Sequence, residues 1–208
     1  MTARHCNRRG FLSGVVPGCV ATCLCLQGSQ GQAQSARGAT PSAPGHKFDK
    51  PTSKPLTYRQ RFQEQYVSHF IPYLKILDRA VGRAKVVETL TALSLQEAED
   101  YAKIVVKQKG KNDISVFKED YSPSTPGIRD ILTIEVLEDV PTAWAIKITE
   151  CLWATVFRDA DASQFGYAAV CAGDAPFARA VNPKIDLDLR GTLMEGKPAC
   201  LLRYYVKG

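Results

Sequence analysis

Histidine is scarce in this chain of 208 residues, which contains only three copies. His5 and His46 fall in the N-terminal tail, and His69 stands alone in a predicted helix. The sequence also lacks a Ser-His-Asp arrangement, an H-E-x-x-H zinc motif and a glycine-rich phosphate loop. These absences argue against the common serine hydrolases, zinc peptidases and nucleotide-binding enzymes.

Long apolar runs are missing as well, since none reaches the roughly 20 residues that a membrane-spanning helix needs. The formal net charge is +6, but its distribution is uneven. Residues 1–50 contain six basic residues and one acid, so the rest of the chain carries a net charge of only +1. Because the positive charge belongs to the tail, the composition predicts neither a stable membrane span nor nucleic acid as a partner.

The tail opens on a paired arginine. The segment Arg8–Ser13 (RRGFLS) resembles a twin-arginine export signal, and a weakly apolar run from Val15 to Leu26 follows it. We therefore predict that residues 1–36 are an export signal, that the twin-arginine export machinery is a partner, and that the protein is periplasmic or otherwise exported. Lipoprotein anchoring is not predicted, because Val16–Cys19 (VPGC) is a poor lipobox.

Residues 37–56 are rich in Pro, Ser, Thr, Gly and Lys and are predicted to be a disordered linker. Residues 57–208 are predicted to form a single domain. Apolar residues recur at helical spacing over 57–80 and again over 83–108, and glycines end both segments. Pro72 is expected to bend the first helix or break it in two.

The hydrophobic period changes from 3.6 to 2 at Ile131. Two strands, about 131–138 and 144–149, predict an antiparallel hairpin. Short helices follow, and two further strands at about 187–190 and 199–206 predict a second hairpin. The expected fold class is therefore α+β, with N-terminal helices followed by a four-stranded antiparallel sheet of two hairpins and short helices between them.

Three cysteines, Cys151, Cys171 and Cys200, remain once the signal is removed. An odd number leaves at least one thiol unpaired or in a metal site. Cys151 lies at a predicted strand-to-helix junction, where helix amides can lower the pKa of a thiol. Cys171 precedes Asp174 by three residues, and a thiol beside a carboxylate can divide the nucleophile and proton-transfer roles. We predict Cys151 or Cys171 as nucleophile or partner of an activated water, and Asp174 as general acid and base.

Other interpretations of these residues stay open. The cysteines are alternatively buried apolar side chains, a disulfide pair with one free thiol, or a zinc site, although they lack C-x-x-C spacing. No cofactor is predicted, and a Cys-ligated metal is the alternative. Trp153, Tyr167 and Tyr204 are either core residues or pocket walls. Asn182 precedes Pro183 and is either a helix stop or an amide that lines the pocket.

Several short segments, in this order and spacing, resemble the L-2-amino-thiazoline-4-carboxylic acid hydrolase family. The resemblance runs from Phe62 to Val206 and is strongest after Ile131. The segments are Thr149–Ala154 (TECLWA), Phe157, Phe165–Tyr167 (FGY), Val170–Cys171, Asp174, Asn182–Pro183, Thr192–Gly196 (TLMEG), Cys200 and Arg203–Tyr204.

The resemblance implies a small α+β hydrolase that acts on carbon–nitrogen bonds other than peptide bonds. Its substrate would be a small cyclic amidine such as 2-amino-thiazoline-4-carboxylate, opened to a carbamoyl-cysteine. The expected catalytic residues are Cys151, Cys171 and Asp174. The expected substrate-binding residues are Trp153, Tyr167, Asn182, Cys200 and Tyr204. The alternative function is a non-catalytic, thiol-rich binding module for a metal, a haem or a small ligand.

The last turn departs from the family pattern. Family members usually have Gly-Asp-Asp before the final cysteine and Asp-Phe after it, whereas residues 196–202 here read GKPACLL. If the missing acids contact the substrate in relatives, this chain has a changed specificity.

Overall fold

A computed structural model describes residues 55–122 and 128–208. The predicted export signal and residues 37–54 of the predicted linker lie outside the described residues. The helical elements are α1 Tyr58–Phe62, a π-helical segment Gln63–Phe70, α2 Ile71–Val81, α3 Arg83–Lys109, α4 Ser115–Asp120, α5 Ile128–Ile131, α6 Leu152–Asp159, α7 Ser163–Gly166, a second π-helical segment Tyr167–Cys171, α8 Asp174–Val181 and a 3-10 turn Leu193–Glu195. The strands are β1 Leu132–Val140, β2 Ala143–Cys151, β3 Ile185–Arg190 and β4 Cys200–Val206.

The first helix begins with a capping box. The Thr57 hydroxyl accepts a hydrogen bond from the Gln60 N–H at 3.2 Å, and the Gln60 side chain accepts one from the Thr57 N–H at 2.9 Å. Pro72 was expected to bend the first helix or to break it in two. The break does not occur, because α2 runs through Pro72. Instead, a π-helical segment ends at Phe70, two residues before Pro72, and the Ile71 N–H donates to the Tyr66 carbonyl. This shift in the hydrogen-bond ladder comes just before the residue that lacks an N–H.

Glycines set both ends of the long helix α3, as the sequence predicts. Gly82 has φ +85° and Gly110 has φ +66°, and both lie in a region that L side chains rarely adopt. After Gly110, the Asp113 carboxylate accepts a hydrogen bond from the Ser115 N–H at 2.8 Å and so caps α4. The 27-residue α3 therefore has a defined length, and its buried face can align with α8.

The four strands form one antiparallel sheet in the order β1-β2-β4-β3. The predicted α+β class and the two predicted hairpins are confirmed. The hairpins meet at the β2–β4 pair, where Trp144 lies opposite Tyr204 and Ile148 lies opposite Cys200. This register carries Cys200 to the end of β2 from which Cys151 emerges, so the sheet itself brings these two cysteines near each other.

Helices cover one face of the sheet. On that face the Phe117 ring of α4 stacks on Tyr204 with centroids 4.3 Å apart. Further along, Tyr101 of α3 stacks on Phe177 of α8 at 5.5 Å. Burying each such side chain contributes roughly 1.5–3 kcal/mol. The core is therefore an aromatic layer between the sheet and the α3–α8 pair.

The other face of the sheet is rich in charge. Arg203 of β4 donates to Glu138 of β1 at 2.7 Å, and Lys147 pairs with Glu135 at 3.4 Å. Val136 lies opposite the buried Ile146 of β2 on the helix-covered side, but it is 50% exposed on the edge strand β1. Among the described residues, no helix combines the length and the apolar character that crossing a membrane requires.

Candidate active site

A small cavity of about 20 Å³ lies between the sheet and the short helices that follow β2. Cys151, Cys171, Asp174 and Cys200 all line it, and we call it the thiol chamber. The remaining lining residues are Ile148, Ala154, Leu189, Thr192, Met194 and Leu202. A cavity of this size has room for about one water molecule. The chamber therefore brings together the three cysteines and the acid that the sequence singles out.

Each of the four residues stands at an end of an element. Cys151 ends β2 and caps α6, whereas Cys200 begins β4. Cys171 ends the second π-helical segment, and Asp174 is the first residue of α8. The sequence suggests that Asp174 caps this helix from outside, but Gly173 holds that position and the Asp174 side chain is buried in the chamber. Element ends suit a site because side chains there are not committed to packing along a helix or strand.

Two glycines allow close packing around the segment that carries Cys171. A Cβ at Gly166 would lie 2.5 Å from the Met194 sulfur. A Cβ at Gly173 would lie 2.9 Å from the Ser94 hydroxyl oxygen. Any side chain at either position would push the segment away from its neighbours, so the missing Cβ atoms help to keep the chamber small.

Backbone amides point at two of the three sulfurs. The Ala154 N–H lies 3.4 Å from the Cys151 sulfur, and the Leu193 N–H lies 3.2 Å from the Cys200 sulfur. The Thr155 hydroxyl also donates to the Cys151 carbonyl at 3.1 Å. These contacts hold Cys151 at the junction of β2 and α6 and tie Cys200 to the 3-10 turn.

The thiols do not have the lowered pKa that the helix junction predicts for Cys151. Burial raises the pKa of Cys151 to about 12, although the amides of Ala154 and Trp153 oppose this effect. Burial also raises the pKa of Cys171 well above its usual value, and Asp174 adds to the rise. The pKa of Cys200 is raised for the same first reason. Desolvation outweighs the helix amides here, so all three thiols are neutral at pH 7.

Asp174 behaves differently because its pKa moves toward neutrality. Its side chain is buried, and burial raises its pKa from 3.8 to about 7. A carboxyl group with this pKa can take up and release a proton near neutral pH, as a general acid and base must. Asp174 is therefore the group in the chamber best suited to proton transfer.

A much larger cavity of about 810 Å³ lies on the other side of Cys151. Arg59, Arg129 and Arg158 line it, and we call it the arginine cleft. Three acids line it as well: Asp130, Glu150 and Asp159. Cys151 and Ala154 line both cavities, so they form the shared wall between the cleft and the thiol chamber. A small molecule bound in the cleft would lie next to Cys151.

Trp153 and Tyr204, expected at the substrate, lie in the core. Trp153 is 1% exposed, and its indole N–H donates to the Tyr66 hydroxyl at 3.1 Å. Tyr204 is 1% exposed and lies between the rings of Phe117 and Trp144. Neither residue lines the thiol chamber or the arginine cleft.

Asn182 and Tyr167 also lie outside both cavities. The Asn182 side chain donates to the Asn112 carbonyl at 2.8 Å and accepts from the Lys184 N–H at 2.9 Å, which is a turn-stabilising role. Tyr167 lines a third cavity together with Met194 and Glu195. Burial raises the pKa of Tyr167, and the nearby Glu195, Cys171 and Asp174 raise it further.

Sequence reasoning missed Arg158 and Thr192. Arg158 follows Cys151 by seven residues, about two helical turns, so it returns to the side of α6 on which Cys151 sits. That spacing was a usable signal. Thr192 lines the chamber, but its hydroxyl also caps the 3-10 turn by accepting from the Glu195 N–H at 3.1 Å. Its sequence context predicts only the capping role.

Cys151, Cys171 and Cys200 are free thiols in the structure. No group of three or more His, Cys, Asp or Glu within residues 55–122 and 128–208 is arranged to hold a metal ion. The chemistry that the chamber can perform with its own groups is proton transfer by Asp174 beside neutral thiols.

Comparison with known families matches residues 60–204 to the model of L-2-amino-thiazoline-4-carboxylic acid hydrolase. The chain belongs to this family. No curated protein matches. Two of the similar solved structures have low identity to this chain. One is a trafficking protein particle complex subunit 3 from Naegleria fowleri covalently bound to palmitic acid, with 11% identity, a TM-score of 0.43 and coverage of 72% of this chain and 95% of that chain. The other is the phenol-responsive sensory domain of the transcription activator PoxR with phenol, with 16% identity, a TM-score of 0.42 and coverage of 65% and 71%.

The departure from the expected pattern of the L-2-amino-thiazoline-4-carboxylic acid hydrolase family has an exposed part and a buried part. Lys197 and Pro198, which stand where the resemblance leads us to expect acids, are exposed in the turn before β4. Gly191 and Gly196 frame this turn with φ +65° and +83°. Leu202, which also belongs to the departing segment, is 3% exposed and lines the thiol chamber. Cys200 still reaches the chamber, so the change alters the exposed turn and one apolar wall of the chamber and leaves the cysteines in place.

Proposed function

We propose that this chain is an exported hydrolase that opens a small cyclic amidine, such as 2-amino-thiazoline-4-carboxylate, to a carbamoyl-cysteine. Membership of the family supports hydrolase activity. One observation carries the finer proposal: Cys151 forms the wall between an open cleft of about 810 Å³ and a chamber in which Asp174 is buried. The cleft has room for the substrate, and the chamber supplies a proton-transfer group directly behind its wall.

The chamber is too small for the substrate itself, because its volume is about 20 Å³. A single water molecule fits it. In the proposed reaction this water meets the substrate at the Cys151 boundary of the chamber, where it loses a proton to the Asp174 carboxylate while its oxygen bonds to the amidine carbon. The ring bond from that carbon to its sulfur or nitrogen then breaks, and protonated Asp174 returns the proton to the departing atom. Water is thus added across the ring bond, and Asp174 ends in its starting state.

The thiols take a supporting role in this mechanism. Since burial keeps Cys151 and Cys171 neutral, a thiolate attack would first require a proton transfer from a thiol with a pKa of about 12 to an acid with a pKa of about 7. Water activation by Asp174 avoids that step. The Cys171 thiol lies in the same chamber, where an S–H can donate weakly to the carboxylate or the water.

The proposal is tested first with Asp174→Asn, which preserves the shape of the side chain and removes its proton-transfer capacity. We expect turnover of 2-amino-thiazoline-4-carboxylate to fall roughly 10²–10⁴-fold. Carbamoyl-cysteine is measured by mass spectrometry, and circular dichroism checks the fold. The matched control is Asp188→Asn on β3, where Asp188 pairs with Arg190 away from both cavities.

Wild-type turnover in the Asp174→Asn variant would overturn the mechanism, and no turnover by the wild type would overturn the substrate. A stoichiometric metal or a chromophore in the purified wild type would instead favour the binding-module alternative. Metal analysis and an absorption spectrum therefore accompany the assay. Export remains the part of the proposal that depends on residues 1–36 alone.

A further inference from the structure

The arginine cleft is lined by charges of both signs. Arg59, Arg129 and Arg158 face it, and so do three acids, Asp130, Glu150 and Asp159. Within residues 55–122 and 128–208, no ion pair of 4.0 Å or less engages any of these six side chains. Three positive and three negative groups in one cleft suit a ligand that carries both charges better than a purely anionic or cationic one.

A hydrogen bond anchors the side chain of Arg158 in the cleft. Its Nη1 donates to the Leu193 carbonyl at 3.3 Å, and the N–H of Leu193 in turn lies 3.2 Å from the Cys200 sulfur. One donor of the guanidinium group is therefore used to anchor the side chain. The other donors remain available for a carboxylate, which a guanidinium group can bind through two parallel hydrogen bonds.

Glu150 is held next to Cys151. It is the residue before Cys151 at the end of β2, and its carboxylate accepts a hydrogen bond from the Thr133 hydroxyl of β1. That bond uses one of several acceptor sites on the carboxylate, so the group can still accept from a cationic nitrogen. Arg158 and Glu150 thus present opposite charges in the cleft that Cys151 lines.

We propose that the arginine cleft binds a zwitterionic small molecule, with Arg158 recognising its carboxylate and Glu150 its cationic nitrogen. Such a ligand would be held with its central carbon against Cys151. The identity of the reactive ligand rests on the proposed function, because 2-amino-thiazoline-4-carboxylate carries a carboxylate and, when protonated, a cationic amidine. Arg158 and Glu150 would then determine specificity without taking part in the proton transfer.

Three related compounds separate the two contacts. The first is 2-amino-thiazoline-4-carboxylate, which has both charges. The second, 2-amino-thiazoline, lacks the carboxylate, and the third, 2-oxothiazolidine-4-carboxylate, lacks the cationic nitrogen. Binding is measured by calorimetry in an Asp174→Asn background, so that no compound is consumed.

We expect Arg158→Gln to weaken binding of the two carboxylate compounds up to about fivefold and to leave binding of 2-amino-thiazoline unchanged, because an exposed ion pair contributes about 1 kcal/mol or less. Glu150→Gln should weaken binding of the two amino compounds by a similar factor and leave binding of the oxo compound unchanged. The matched controls are Arg190→Gln and Glu135→Gln, whose residues lie on the sheet outside the cleft, and both should bind like the parent.

Equal losses for all three compounds, unchanged binding in both variants, or no binding of any compound would overturn the inference. Its failure can be told apart from failure of the proposed function. The expected binding pattern without wild-type turnover would retain the cleft assignment and reject the reaction. If the wild type turns over the substrate but the Arg158 and Glu150 variants bind the three compounds as the parent does, the reaction is retained and the assignment of the two residues to the ligand is rejected.

Discussion

The thiol chamber and the arginine cleft share Cys151 but differ in size and in charge. The chamber has a volume of about 20 Å³ and one ionisable carboxyl group, Asp174, whereas the cleft has a volume of about 810 Å³ and six charged side chains. In the chamber, burial suppresses ionisation, as the raised pKa of Asp174 and Cys171 indicates. In the cleft, the charged side chains line an open volume in which water can solvate them.

This contrast shows how one small domain can separate recognition from proton transfer. Solvated charges can select a ligand by charge, but water weakens each contact to about 1 kcal/mol or less. A buried carboxyl group can titrate near neutral pH, but it has no room for a ligand of substrate size. Cys151 lies where the two environments meet, which explains why this part of the chain gathers so many reactive side chains.

The pH dependence of stability should give the largest measurable difference between the two cavities. Among the residues that line them, only the chamber holds a buried carboxyl group. Between the unfolded value of 3.8 and the folded value of about 7, the native state holds a proton that the unfolded state has released. Stability should therefore fall as pH rises through this window, by on the order of 4 kcal/mol, and level off above it.

Urea unfolding of wild type and Asp174→Asn at steps from pH 4 to pH 8 measures this difference. The free energy of unfolding of the variant should lack the Asp174 contribution, so that the gap between the two proteins changes steadily up to about pH 7. The same experiment with Asp188→Asn on the sheet serves as the control. Parallel pH curves for wild type and Asp174→Asn would contradict a raised pKa.

Alkylation should rank the three cysteines by cavity. Cys151 lines the open cleft as well as the chamber, whereas Cys171 and Cys200 line the chamber but not the cleft. With its pKa raised to about 12, Cys151 should react with iodoacetamide at pH 7.5 on the order of 100-fold more slowly than in urea, because the thiolate is the reactive form. Cys171, whose pKa burial and Asp174 raise well above its usual value, should react more slowly still.

Peptide mass spectrometry over a time course gives the rate at each cysteine, and the unfolded chain in urea supplies the reference rate. If Cys171 were modified first, the chamber would open by a route that does not pass Cys151. If all three reacted as fast as in urea, neither the burial nor the cavity order would hold.

The fold could be predicted because its signals are local. Thr57 caps α1 through a short local motif, Gly82 and Gly110 bound α3, and the change to period 2 near Ile131 marks the sheet. The π-helical segments could not be predicted in this way. Their hydrogen bonds reach one residue further back than those of an α-helix, but the spacing of their apolar residues is nearly the same. The sequence around Pro72 therefore suggested a bend or a break and gave no sign of a π-helical segment.

The site was predictable only in part, because its chemistry depends on depth as well as on position. The junction of β2 and α6 at Cys151 was visible in the sequence, and the amide contact that a junction implies is present. The direction of the pKa change was wrong, since the sequence does not show that residues from β3, β4 and the second π-helical segment enclose the thiol. Arg158 was missed because a basic residue in the last turn of a helix is ordinary in itself.

Trp153 offers the smallest expected effect and separates a core role from a substrate role. Trp153→Phe removes the indole N–H that lies 3.1 Å from the Tyr66 hydroxyl, and it should lower the free energy of unfolding by about 2 kcal/mol. Since Trp153 lines neither cavity, KM for 2-amino-thiazoline-4-carboxylate should stay within about twofold of the wild-type value, which is a smaller change than the loss of one exposed ionic contact would cause.

Thermal unfolding measures the stability and initial-rate kinetics measure KM. Tyr66→Phe, alone and combined with Trp153→Phe, tests whether the hydrogen bond accounts for the loss of stability. A raised KM with unchanged stability would show that Trp153 is a substrate-binding residue. The ligand would then reach the core behind the chamber and would not be confined to the cleft.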